Sequence, residues 1–206
     1  MSHEIRTPLN AISGFAELIA GEDLSEEERR EFAQIIRDNT QLFTSLINDM
    51  LEVSQLDNTS AEMPRKLLDI SKIIRAEMEH LPVKEGVEYR LELAAPEIVF
   101  PLHRSYVSLL VRELLKNAVK FTEQGSVTVE CGLTEPGTLT LSVTDTGCGV
   151  EPGLAERVFD RFYKVDPFAQ GLGLGLSLCR LIVEKLGGTI GLDTTYTSSA
   201  LMIGLR

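Results

Sequence analysis

Ile5, Leu9, Ile12, Ala16 and Ile19 recur every three or four positions, which predicts one helix with a single apolar stripe. Gly21 marks its end, and Ser25 with Glu28 reads as a capping box that opens a second helix. The stripe resumes at Phe32, Ile35, Ile36, Asn39, Leu42, Phe43, Leu46, Ile47, Met50, Val53 and Leu56. That second helix, about thirty residues long, has an apolar face too broad for a lone surface helix. Two such hairpins pairing as a four-helix bundle would cover it, so a homodimer is expected.

Asp57-Asn58-Thr59-Ser60 is polar and turn-prone and Pro64 follows, which puts a boundary near 57–64. Two domains are therefore expected, 1–60 and 61–206. Beyond the boundary the periodicity switches repeatedly between two and 3.6. It predicts a strand Lys66–Ile70, a helix Ser71–Leu81, strands Glu88–Leu93 and Glu97–Phe100, and a helix His103–Phe121. Strands Ser126–Leu133 and Thr138–Thr144 follow, joined by a Glu135-Pro136-Gly137 turn. A short helix Leu154–Phe159, a glycine-bearing loop and a helix Leu174–Leu186 precede a last hairpin, Thr189–Asp193 and Ala200–Leu205. The fold class is α+β: a helical hairpin, then an α/β sandwich with a mixed sheet and helices on one face.

Composition narrows the function. Net charge is −11, of which residues 1–57 carry −8 and the rest −3. No basic face offers itself to nucleic acid, while the near-neutral second part can spare local cations for one nucleotide. No apolar run reaches the length of a bilayer span. Cys131, Cys148 and Cys179 lack metal-finger spacing, and their odd number fits a reducing cytoplasm better than a disulfide scaffold.

Four blocks carry the candidate chemistry. In Ser2-His3-Glu4-Ile5-Arg6-Thr7-Pro8-Leu9, a helical imidazole with an ordinary pKa near 6.5 can attack phosphorus without a strong base. Glu4 follows it, Thr7 lies one turn on, and Pro8 removes one helical hydrogen bond. In Asn117-Ala118-Val119-Lys120-Phe121, an amide oxygen suited to Mg²⁺ and a cation suited to phosphate share a helix face. Asp145-Thr146-Gly147-Cys148-Gly149 puts a carboxylate at a strand end beside permissive backbone, a place for an adenine amino group. Gly171-Leu172-Gly173-Leu174-Gly175 opens a helix, whose amides with glycine access form an anion site. No GxxxxGK[ST] string occurs, so this is no P-loop. His80 and His103 read as structural, and Cys148 as small filler.

In this order and spacing the blocks resemble the catalytic core of a sensor histidine kinase, over nearly the whole chain. The resemblance implies an ATP-binding domain of the kinase-gyrase-chaperone type, with ATP and Mg²⁺ as cofactors. It makes His3 the phosphoacceptor, Glu4 its acid/base partner, and Thr7 a residue for phosphatase activity toward a response regulator. It makes Asn117 a Mg²⁺ ligand, Lys120 a phosphate contact, and Asp145, Gly147 and Gly149 the adenine block. Gly171, Gly173 and Gly175 become the phosphate loop. Phe159, Arg161, Phe162, Tyr163 and Lys164 match the aromatic block anchoring the ATP lid, although aromatics at that spacing equally suit a core. Implied partners are a response-regulator receiver domain and a second copy of the hairpin. Membrane attachment is expected only through segments outside this chain, the cytoplasmic part of an anchored sensor.

The chain departs from that pattern at several places. The family's first helix normally starts further upstream of the histidine, so Met1 is expected to fall inside it. Glu113 stands where a second asparagine is common and offers a metal ligand or a carboxylate that activates water. Leu172 replaces a small hydroxylic residue, and the lid Asp160–Gln170 is short, from which looser nucleotide binding is expected. Tyr196-Thr197-Ser198-Ser199 lacks the glycines usual in the last hairpin. Two rival readings use the same residues. One is an ATP-hydrolysing relative relying on Glu113; the other is a pseudokinase scaffold or regulator phosphatase acting through Thr7.

Overall fold

The computed structural model describes residues 2–21, 24–58, 65–135, 137–166, 171–193 and 200–205. Helix α1 (Ser2–Gly21) and helix α2 (Glu26–Asn58) pack against each other as a hairpin. The phenyl rings of Phe15 and Phe32 meet with centroids 5.1 Å apart. The capping box is present: the Ser25 backbone N–H donates to the Glu28 carboxylate at 2.9 Å, and the Glu28 N–H donates to Ser25 Oγ at 3.3 Å. Pro8 lies inside α1 and is buried. The α2 helix runs to Asn58; most of the expected boundary lies outside the described residues.

The second part begins with strand β1 (Lys66–Asp69), followed by helix α3 (Ile70–Glu79), strand β2 (Val87–Leu93) and strand β3 (Val99–Leu102). Helix α4 (Arg104–Phe121), strand β4 (Gly125–Glu135) and strand β5 (Thr138–Asp145) come next. Helix α5 (Gly175–Lys185), strand β6 (Thr189–Asp193) and strand β7 (Ala200–Leu205) complete it. Five strands form one mixed sheet in the order β2-β4-β5-β7-β6, in which β2 and β4 run parallel and the other pairs antiparallel.

Burial alternates along the central strands. Val127, Val129 and Cys131 of β4 and Leu139, Leu141 and Val143 of β5 point inward. On the other face the Ser142 hydroxyl donates to Glu130 at 2.8 Å. The inward residues meet Ile73 and Ile74 of α3, Leu110, Val111 and Leu114 of α4, and Leu178 and Ile182 of α5 in a single core. That is the expected helical layer on one face of a mixed sheet.

One strand pair was not foreseen, and one expected helix needs correction. Strands β1 and β3 leave the main sheet and pair with each other, antiparallel, Leu67 opposite Pro101. Pro101 brings no N–H to a ladder, which confines its strand to an edge. The expected helix Leu154–Phe159 is instead two 3₁₀ turns, Pro152–Leu154 and Arg157–Phe159. Pro152 and Gly153 start the segment, and each turn is too short to propagate an α-helix.

Candidate functional site

Glu113, Lys116, Asn117 and Lys120 fall on one stripe of α4, beside the face that buries Leu110 and Leu114. All four line a cavity of about 250 Å³ between α4, the end of β5 and the glycine loop. The C-terminal turn of α4 is held from outside by Lys84, whose Nζ donates to the carbonyls of Val119 at 3.2 Å and Thr122 at 2.6 Å.

Asp145 continues the inward phase of β5, so its carboxylate emerges beneath the helices, only 6% exposed. It accepts the Gly147 backbone N–H at 2.9 Å. The turn is pinned from the far side by Thr146, whose hydroxyl oxygen accepts the Ser126 N–H at 2.9 Å. Gly149 then turns back at φ 69° and lines the cavity together with exposed Cys148.

At the opposite end, Gly171, Gly173 and Gly175 border the cavity, the last at the start of α5. Gly173 has φ 69°, and a Cβ there would stand 2.5 Å from the Tyr163 carbonyl oxygen. A Cβ on Gly175 would stand 2.9 Å from Glu113 Oε2 and 3.3 Å from Asn117 Nδ2. Bare backbone at Gly175 keeps the start of α5 against the α4 stripe, and at Gly173 it lets the loop pass close to the Tyr163 backbone.

The electrostatics separate the two ends. Lys116, Lys120 and Lys164 gather toward the glycine loop. Burial, then the charges of Lys164 and Lys116, hold the Lys120 ammonium below its usual pKa, with Asp166 opposing them. Glu113 is 6% exposed and has Lys116 Nζ at 3.4 Å. Burial, with the Glu113 carboxylate as second cause, pushes the Cys179 thiol well above its ordinary range. Asn117 Nδ2 is buried with no hydrogen-bond partner among the described residues. A buried, unsatisfied amide beside a carboxylate and three lysines suits a bound polyphosphate with its cation. Among the described residues no group of three or more His, Cys, Asp and Glu could hold a metal by itself.

The structure thus brings Asn117, Lys120, Glu113, Asp145, Gly149 and the three loop glycines to one cavity. Gly147 acts through its backbone at the rim. Phe162 stands outside the cavity lining and is 42% exposed, with a backbone φ of 64°. Its link to the site is the backbone N–H, which donates to the Gly173 carbonyl at 3.0 Å. Tyr163 lines the cavity instead, and Phe159 belongs to the core. His3 and Glu4 lie on the first turn of α1, their side chains outside the described residues; Thr7 is exposed on the next turn. Lid positions 167–170 and the turn 194–199 are likewise outside the described residues. Sequence reasoning missed Lys116 as a lining residue of this cavity, although its spacing to Asn117 and Lys120 on one helix face was a usable signal.

Comparison with known proteins agrees with this layout. Residues 1–59 match the His Kinase A (phospho-acceptor) domain, and residues 103–202 match the histidine kinase-, DNA gyrase B- and HSP90-like ATPase family. The chain is 34% identical to two-component system protein A of Emericella nidulans, over 97% of this chain and 31% of that protein. It is 32% identical to histidine protein kinase DivJ of Caulobacter vibrioides, over 94% of this chain and 34% of that protein. It therefore spans about a third of the length of these curated relatives. Among solved structures, full-length ShkA in complex with AMPPNP superposes with a TM-score of 0.76 at 29% identity, covering 99% of this chain and 44% of that one. Histidine kinase ThkA, solved with response regulator protein TrrA, has the same fold, with a TM-score of 0.79 at 20% identity, 99% of this chain and 59% of that one.

Proposed function

Since the chain belongs to the sensor histidine kinases of two-component systems, we propose that it is the catalytic core of such an enzyme. It phosphorylates itself on His3 from ATP and passes the phosphoryl group to an aspartate of a response-regulator receiver domain. On this reading residues 1–60 are the phosphotransfer hairpin and 61–206 the ATP-binding domain. The observation that carries it is the cavity, with buried Asp145 at one end and three lysines beside the Asn117 amide at the other.

Asp145 accepts the adenine amino group, and Gly147 and Gly149 let backbone approach the base. The α5 amides behind Gly171, Gly173 and Gly175, with Lys120, Lys116 and Lys164, hold the phosphates. Asn117 and Glu113 would hold Mg²⁺, since both offer the oxygen donors it prefers. When bound, it supplies neutralisation of phosphate charge. An imidazole nitrogen of His3 forms the bond to the γ-phosphorus as the bond to the bridging oxygen breaks and ADP leaves. Glu4 takes the proton from the other ring nitrogen. In the second step an aspartate oxygen of the receiver bonds to phosphorus, the P–N bond breaks, and Glu4 returns the proton. Thr7, exposed one turn below His3, serves dephosphorylation of the receiver, in which a water oxygen bonds to phosphorus, the bond to the aspartate oxygen breaks and inorganic phosphate leaves.

Exposed Leu9, Leu18 and Leu51 give the hairpin apolar surface that a second copy covers in a four-helix bundle. The receiver domain docks around Asn10–Ala20 and the facing part of α2. Among the described residues no helix is long and apolar enough to cross a membrane. We assign the chain to the cytoplasmic portion of an anchored sensor.

Incubation with γ-labelled ATP and Mg²⁺, beside a His3→Gln variant, tests the reading. Alkali-stable, acid-labile label that disappears in the variant is the expected result. ATP turnover that persists in His3→Gln and vanishes in Glu113→Gln would replace it with the hydrolytic alternative. Nucleotide binding without label or turnover would replace it with a scaffold.

A further inference from the structure

Two helix ends reach the cavity with opposite polarity. The start of α5 brings backbone amides and a partial positive charge to it. The last turn of α4 brings the reverse. Lys120 and Phe121 line the cavity there, and the carbonyls that close a helix carry a partial negative charge. For an anionic ligand that is the unfavourable pole, and Lys120 is the basic residue that the last turn itself supplies.

A second cation reaches this end from another part of the fold. Lys84 lies in the loop between α3 and β2, half-buried and outside the cavity lining. Its Nζ donates to the carbonyls of Val119 and Thr122, the residues that flank Lys120 and Phe121. Those two residues are 8% and 0% exposed, so water has little access to replace the ammonium. The loop is fixed in its turn: the Val87 N–H donates to the Lys84 carbonyl at 3.1 Å, and the Gly125 N–H donates to the Gly86 carbonyl at 2.8 Å. The position of the α4 turn does not rest on Lys84 alone. The Ala118 carbonyl accepts the Thr122 N–H at 3.1 Å and the Thr122 hydroxyl at 2.7 Å, and Phe121 meets Gly147 backbone to backbone.

We propose that Lys84 is a positioning residue for the nucleotide's phosphates, resting on the nucleotide reading of the cavity above. It touches no nucleotide. Its ammonium cancels the negative pole of α4 from the far side, and so makes the turn that carries Lys120 a place where a polyphosphate can sit. Because the effect is electrostatic and passes through main-chain carbonyls, it scales with the ligand's charge. A polyphosphate feels it, whereas a neutral nucleoside with the same base and ribose does not. A full charge at a helix terminus shifts an equilibrium by roughly twofold to fivefold when exposed and up to about thirtyfold when partly buried. Half-buried Lys84 belongs in the upper part of that range.

Three variants separate charge from hydrogen bonding. Lys84→Met removes both, Lys84→Gln removes the charge and keeps an amide donor, and Lys84→Arg keeps both. Affinities for ATP and for adenosine are titrated in the full chain at one ionic strength, well below every variant's melting temperature. Adenosine binding is followed by the NMR shifts of the Gly147 and Gly149 amides. ATP affinity should fall about tenfold in Lys84→Met and about fivefold in Lys84→Gln, while adenosine affinity moves by less than about twofold in either. Lys84→Arg should bind ATP within about twofold of the parent. Equal losses for ATP and adenosine overturn the proposal, since they mark a side chain that only supports the fold. An unchanged ATP affinity in Lys84→Gln overturns it too, as does a Lys84→Arg variant as weak as Lys84→Gln. If Lys84→Met does not fold, the comparison of Lys84→Gln with Lys84→Arg decides by the same criteria. A parent chain that binds ATP no more tightly than adenosine would sink the phosphate end of the cavity, and the role of Lys84 with it. A parent that prefers ATP, beside variants with the same preference, sinks the role of Lys84 alone.

Discussion

A Cβ on Gly147 would stand 2.3 Å from the carbonyl oxygen of Phe121. The end of α4 and the turn after β5 therefore touch backbone to backbone, which ties the lysine stripe to the Asp145 carboxylate. Gly147→Ala cannot be relieved by a rotamer change, since the opposing atom is main chain. Overpacking of this kind costs about 1–3 kcal/mol. The variant should melt several degrees lower and bind ATP about tenfold more weakly. Thermal denaturation and nucleotide titration on the same sample read both, and an unaltered melting temperature would contradict the close approach.

Asp145→Asn isolates the proposed adenine contact. Its amide oxygen can still accept the Gly147 N–H, so the turn and the melting temperature should be preserved. What changes is the group offered to the base, from an acceptor-only carboxylate to an amide that also donates. A hydrogen bond to a charged group contributes about 1.5–3 kcal/mol, so ATP affinity should fall by roughly tenfold to a hundredfold. Preference for ATP over GTP should narrow, because guanine presents a carbonyl where adenine has its amino group. Competition titrations with the two nucleotides check both expectations.

The sequence was most readable where a local rule and the tertiary context agree. Ser25 and Glu28 form their box as read, because both partners lie within one turn. Asp145 was read as following the strand Thr138–Thr144; β5 includes it, and the inward phase that buries Leu141 and Val143 carries on to it. The conformation of Phe162 was not legible, since no spacing rule supplies a positive φ in a non-glycine residue. The β1–β3 pair was hidden for another reason: alternation marks strands but not their partners, and the choice turned on Pro101. Leu172 shows the same limit at the site. Its departure from the motif was visible in the chain, but the contact with Leu46 joins residues far apart in sequence.

Asp69 offers a pH probe away from the nucleotide. Its carboxyl is held down at about 2, first by the Ser71 hydroxyl and then by Lys72. A folded-state pKa below the ordinary 3.8 stabilises the fold above that value and is lost as pH falls through about 2. Ser71→Ala should return the carboxyl toward 3.8. Between pH 4 and 2 the variant's melting temperature should then fall less than that of the parent. Carboxyl NMR titration reads the pKa directly, and an unmoved Asp69 in the variant would rule out the hydroxyl as the cause.

Lys120 carries the corresponding prediction at alkaline pH. Burial first, then Lys164 and Lys116, hold its ammonium below the ordinary 10.5. Because the folded pKa lies under the unfolded one, the nucleotide-free fold disfavours the charged form. That penalty is fully present below the lowered pKa and is relieved as pH rises toward 10.5. A bound phosphate reverses the preference, so nucleotide binding should draw protons onto Lys120 wherever the free side chain is partly neutral. ATP affinity should therefore decline with rising pH before an ordinary lysine would titrate, and calorimetric heats should vary with the buffer's own protonation enthalpy. Lys164→Met removes one repelling charge and should move that decline to higher pH. Lys120→Met should weaken binding by about tenfold or more and abolish the proton uptake. Proton uptake that survives in Lys120→Met would place the titrating group elsewhere in the lysine cluster.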